Sequence, residues 1–110
     1  MQRELRRRFN DSLPNKQADL ARYWRSVQTE DFSVESLARL RELAHRLAGS
    51  AGSYGLEAVG LAALALEQAI LKPQMGDLER KGIECCMNEL LRLLEDAQKK
   101  PDLSGGGEVR

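Results

Sequence analysis

The stretch Ser33–Gly52, SVESLARLRELAHRLAGSAG, decides the fold class of this chain. Leu37, Leu40, Leu43, Ala44, Leu47 and Ala51 recur at the three- and four-residue spacing of an amphipathic α-helix. Asp31 and Ser33 stand ahead of it as cap candidates, and Glu35 sits where a negative charge favours a helix N-terminus. The same period recurs on both sides. Leu20, Tyr23, Trp24 and Val27 predict a helix from Pro14 to about Gln28, with the proline suited to its first turn. Val59, Ala63, Leu66 and Ile70 predict one from about Leu56 to Leu71, stopped near Lys72-Pro73. Gly76-Asp77 then open a fourth, carrying Ile83, Cys86, Met87, Leu90, Leu93, Leu94 and Ala97 on one side. Leu5, Phe9 and Leu13 add a short N-terminal lead-in helix. The fold expected is all-α, an antiparallel up-down-up-down four-helix bundle with that lead-in, over residues 1–100. Ser104-Gly105-Gly106-Gly107 mark residues 101–110 as a flexible Gly-rich tail or linker.

Composition narrows the function. A chain of 110 residues supports one core. Its 17 basic and 17 acidic residues cancel, which argues against nucleic-acid binding. Arg3, Arg6, Arg7 and Arg8 form a local basic cluster, read as a solvated helix face with Glu4 as partner. No apolar run approaches the ~20 residues of a membrane span, and the N-terminus has no signal-peptide core. Cys85 and Cys86 are adjacent, so they form neither an ordinary disulfide with each other nor a zinc site. On the helical wheel Cys86 falls in the apolar stripe, where burial is expected, and Cys85 falls outside it. The chain reads as cytoplasmic, reduced and monomeric, with no membrane partner and no cofactor of its own.

His45 is the only histidine. On a wheel it lies roughly 140° from the centre of its helix's apolar stripe, so it faces solvent near the middle of the helix. Its neighbours on that face, Ala38, Ala48, Gly49 and Gly52, are all small. A glycine inside a helix costs ~1 kcal/mol relative to alanine, so Gly49 suggests a place where another body comes close. Arg41, one turn before His45, points the same way and is placed to reach an anion at the imidazole. Glu42 completes the rim of this docking surface. An exposed neutral imidazole leaves one ring nitrogen free to attack phosphorus.

The run His45-Arg46-Leu47-Ala48-Gly49-Ser50-Ala51-Gly52-Ser53-Tyr54-Gly55 resembles the signature of the histidine-containing phosphotransfer domain. That signature reads approximately H-x-L-K-G-[SA]-[SA]-x-x-[aromatic or aliphatic]-G. Leu66-Glu67 is similar to the family's "LE" on the following helix, and the likeness extends from about residue 3 to 100. It implies that His45 relays a phosphoryl group to and from the aspartate of a response-regulator receiver domain or hybrid histidine kinase, in a bacterial two-component phosphorelay. It also implies a phosphoryl carrier without kinase activity, with Mg²⁺ and most catalytic groups on the receiver. Ala48 departs from the pattern, which often has lysine there; Arg41 is the candidate replacement. The family often holds the imidazole with a polar side chain of the next helix, and Gln68 is the candidate here. Glu67 falls close to the apolar stripe and is read as a structural residue, paired with an arginine at the bundle's edge.

Two rival readings stand beside this one. A bundle of the same shape could dock a receiver or kinase without becoming phosphorylated. Glu42-x-x-His45 has the spacing used in di-iron bundles, but those need a second such motif and inward-facing ligands.

Overall fold

The computed structural model describes residues 12–72 and 76–99, and these are almost wholly helical. Helix α1 spans Leu13–Thr29, α2 Val34–Ala51, α3 Glu57–Leu71 and α4 Asp77–Lys99, with a 3₁₀ turn at Gly52–Tyr54. Each helix packs against the next, and α4 returns against α1, which closes a four-helix bundle. The expected lead-in helix with Leu5 and Phe9, the arginines before residue 12, and the tail 101–110 lie outside the described residues. Leu13, read with the lead-in, is the buried first residue of α1, and Pro14 lies in that helix's first turn.

The core follows the predicted stripes. Leu20 and Val27 of α1 are buried. So are Leu37, Leu40, Ala44, Leu47 and Ala51 of α2, while Leu43 is only partly covered. Val59, Ala63, Leu66 and Ile70 of α3 meet Ile83, Met87, Leu90 and Leu94 of α4 in the same cluster. The exposed flanks carry short-range ion pairs such as Arg92 with Glu89 and Asp96, which contribute little each.

Cys86 departs from expectation. The fully covered residues of α4 recur at 83, 87, 90 and 94, and Cys86 lies one position off that seam, on the flank towards α3. It is therefore only partly buried, its Sγ 3.9 Å from the carbonyl oxygen of Ala65, while Cys85 is exposed. Partial burial, and then the adjacent Cys85, raise the Cys86 thiol's pKa above its ordinary value.

Two connections set the geometry that the site depends on. Ser33 caps α2, its side chain accepting from the Ser36 backbone N–H at 3.1 Å. Asp31 and Phe32 ahead of it both have positive φ, 55° and 57°. Arg80 of α4 braces them, with a 2.7 Å bond to Asp31 Oδ1 and its guanidinium 4.6 Å from the Phe32 ring centre. At the other end of α2, Gly55 adopts φ 84°, a left-handed conformation that favours glycine. The Leu56 N–H there bonds back to the Ala51 carbonyl at 2.9 Å, turning the chain straight into α3.

Helices α2 and α3 approach most closely at Gly60. A Cβ placed on Gly60 would lie 3.4 Å from the Gly52 nitrogen, 3.6 Å from the Ala48 oxygen and 3.7 Å from the Ala51 Cβ. Backbone cannot retreat as a flexible side chain can, so a larger residue must push the helices apart. Replacing Gly60 with valine should cost about 1–3 kcal/mol and lower Tm, as read by thermal unfolding. An unchanged Tm would show that the helices are not in tight contact there.

Candidate functional site

His45 lies in the middle of α2 with its side chain 68% exposed, in agreement with the wheel. Its orientation is set from α3. Glu67 Oε2 stands 2.9 Å from His45 Nδ1, and the Glu67 side chain is only 11% exposed. Gln68, the residue expected against the ring, is exposed on the flank of α3. The expected pairing of Glu67 with an arginine is likewise replaced by the bond to His45. The two positions are one residue, about 100°, apart on α3. The close crossing at Gly60 brings the inner edge of α3, rather than its outer flank, under the imidazole.

This bond has chemical consequences. An ionised carboxylate only accepts hydrogen bonds, so a neutral imidazole must present Nδ1–H to it. The proton-free nitrogen is then Nε2, on the far side of the ring. Burial makes an unpaired carboxylate costly, so Glu67 and His45 also hold each other in place. The pair resembles the carboxylate–histidine arrangements that fix tautomer and aim in nucleophilic and general-base sites.

Beside the ring lies an open groove of about 490 Å³. Its floor is His45, Ala48, Gly49 and Gly52 of α2 and Gly60 and Glu67 of α3. Its outer wall is Glu57, Leu61 and Leu64. Leu61 is 67% exposed and Leu64 43%, high values for leucines beside a cleft. The two kinds of glycine here differ. A Cβ on Gly60 would fill the contact between the two helices, whereas a Cβ on Gly49 or Gly52 would meet nothing within 4 Å. Internal packing therefore does not explain Gly49 or Gly52, and both keep the space beside His45 low and open.

The remaining expected site residues are placed less centrally. Ala38 and Glu42 are exposed on α2 but do not line the groove, and neither does the partly buried Arg41. The rim expected from Arg41 and Glu42 is formed instead by Glu57, Leu61 and Leu64. Glu42 has no hydrogen bond to His45, whose Nδ1 faces Glu67. Among the described residues, no group of three His, Cys, Asp or Glu side chains is arranged to hold a metal ion. No helix among them is long and apolar enough to cross a membrane.

The sequence profile of the Hpt domain matches residues 4–100, nearly the whole chain. Searches among curated proteins and among solved structures return no match.

The hydrogen bond fixes an observable. In ¹⁵N NMR of the neutral ring, His45 should carry its proton on Nδ1, with Nε2 bare. Replacing Glu67 with alanine should return the ring to the Nε2–H tautomer usual in water. An Nε2–H tautomer in the unsubstituted protein would contradict the geometry.

Proposed function

The chain belongs to the Hpt domain family, whose members carry phosphoryl groups on histidine in phosphorelays, and from that premise we propose that His45 Nε2 is the phosphoryl acceptor. Hpt domains are phosphocarriers rather than enzymes in themselves, and they interact with receiver domains and kinases. The observation that carries the assignment is the Nδ1 bond to Glu67, because it leaves Nε2 as the outward lone pair beside an open groove.

In the forward step, the Nε2 lone pair attacks the phosphorus of a receiver's aspartyl phosphate. The acyl P–O bond breaks, and its electron pair returns to the aspartate carboxylate. Positive charge develops on the imidazole as the P–N bond forms, and the Glu67 carboxylate opposes that charge. Passing the group on reverses these movements. A Mg²⁺ ion and the groups that stabilise the phosphoryl oxygens are assigned to the receiver. This chain supplies the nucleophile, its tautomer and a docking surface.

Docking follows from the groove. Leu61 and Leu64 offer apolar area that a receiver helix can cover, while Gly49 and Gly52 let its backbone come within reach of Nε2. The rival reading, a docking module that is never phosphorylated, leaves the buried carboxylate beneath the ring without a task.

Incubation with a phosphorylated receiver should place an acid-labile label on the chain, and His45→Gln should abolish it. Failure across a panel of cognate receivers would favour the rival reading. Gly49→Leu should cut transfer at least tenfold while leaving the helical circular-dichroism signal intact, because the added side chain fills the approach. Normal transfer by that variant would refute close docking. Glu67→Ala should slow transfer about 10- to 100-fold, the usual effect of removing a carboxylate that orients a functional histidine. Glu67→Gln, whose amide oxygen still accepts from Nδ1–H, should lose less.

A further inference from the structure

The charges around the phosphoryl position carry a consequence for which way the group moves. Among the described residues, the ionisable side chains lining the groove besides His45 are Glu57 and Glu67, both acidic. Side chains on an α-helix lean towards its N-terminus. Positions three, four and seven after His45 therefore lean towards the ring, and these are Ala48, Gly49 and Gly52. None of them can carry a cation to the phosphoryl oxygens. Arg41, four residues before His45, is partly buried and stands outside the groove lining. Glu57 is exposed and lines the same groove as His45.

We propose that phospho-His45 is held without a cation from its own helix, in a groove whose fixed charges are carboxylates, so the phosphoryl group is poised to leave for the partner's aspartate rather than to be stored. This inference rests on His45 being the acceptor. A phosphoryl group on Nε2 carries close to two negative charges, and a carboxylate nearby raises its free energy relative to free His45. Transfer to a receiver removes that repulsion: an aspartate oxygen attacks phosphorus, the P–Nε2 bond breaks, and its electron pair returns to Nε2. Glu67 is partly compensated by the Nδ1–H that it accepts. Glu57 has only the field of the α3 N-terminus, in whose first turn it stands, and Ala48 is the position from which a cation would act.

The test needs no receiver. Phosphoramidate phosphorylates an accessible imidazole directly: Nε2 attacks phosphorus, the P–N bond of phosphoramidate breaks, and ammonia leaves. In buffers of fixed phosphoramidate and ammonium concentration, ³¹P NMR reads the ratio of phospho-His45 to free His45 in the full chain. Ala48→Lys should raise that ratio about threefold to tenfold, the range expected of a partly exposed charge-assisted contact. Ala48→Gln, of similar length and uncharged, should leave it unchanged. Glu57→Gln should raise it about twofold, and added salt should shrink that gain. Equal ratios for Ala48→Lys and Ala48→Gln would overturn the proposal. Absence of label on His45 in every variant would instead overturn the acceptor reading on which it rests.

Discussion

The close crossing of α2 and α3 at Gly60 is the constraint from which the site follows. A Cβ on Gly60 would already touch the backbone of Ala48 and Gly52, so the two helices are separated there by little more than one methyl group. Gly55, in its left-handed conformation, turns the chain back quickly enough for α3 to begin beside the end of α2. At this spacing a glutamate two turns further along α3 reaches under the imidazole of a histidine on α2. At a wider spacing, Glu67 would be a buried carboxylate facing apolar side chains, and His45 would be an unrestrained surface imidazole. The hydrogen bond between them is thus a product of backbone packing.

That bond divides the labour at the site. Glu67 fixes which ring nitrogen is free, and the small residues on α2 fix what can approach it. The exposed leucines of α3 give the partner something to cover. Gly49 weakens the helix locally without relieving any contact inside the molecule. Its role is intelligible only when the space above it is filled by something else. Hpt domains are phosphocarriers rather than enzymes in themselves, and the division of labour proposed here is of that kind. In the proposed function the groove is the approach path, and its acidic lining is inferred to bear on how firmly the phosphoryl group is held.

Much of this was legible in the sequence. The three- and four-residue spacing of Leu37, Leu40, Ala44, Leu47 and Ala51 identified both the helix and the outward direction of His45. Ser33 and Gly55 are where capping and turn chemistry place them. Helix α3 was the opaque element. Its inward stripe, Val59, Ala63, Leu66 and Ile70, is legible, but Leu61, Ala62, Leu64, Ala65 and Leu71 spread apolar residues over its other faces, so the pattern does not say which of them a partner covers. The assignment of Gln68 to the ring follows the family's frequent use of a polar side chain there, while the wheel already puts Glu67 beside the apolar stripe; what no pattern shows is that His45 is the neighbour Glu67 meets. Cys86 shows the same limit on a smaller scale, because a stripe's edge becomes covered only where the neighbouring helix reaches it. The separation of α2 and α3 is a property of two segments together, and no single-helix pattern contains it.

The central claim is that Glu67 makes Nε2 of His45 the nucleophile. It is tested most directly by locating the phosphorus on the ring after phosphorylation, through ¹⁵N–³¹P couplings in the labelled protein. The account predicts coupling of phosphorus to Nε2, with the proton retained on Nδ1. Phosphorus on Nδ1, where Glu67 now stands, would contradict it.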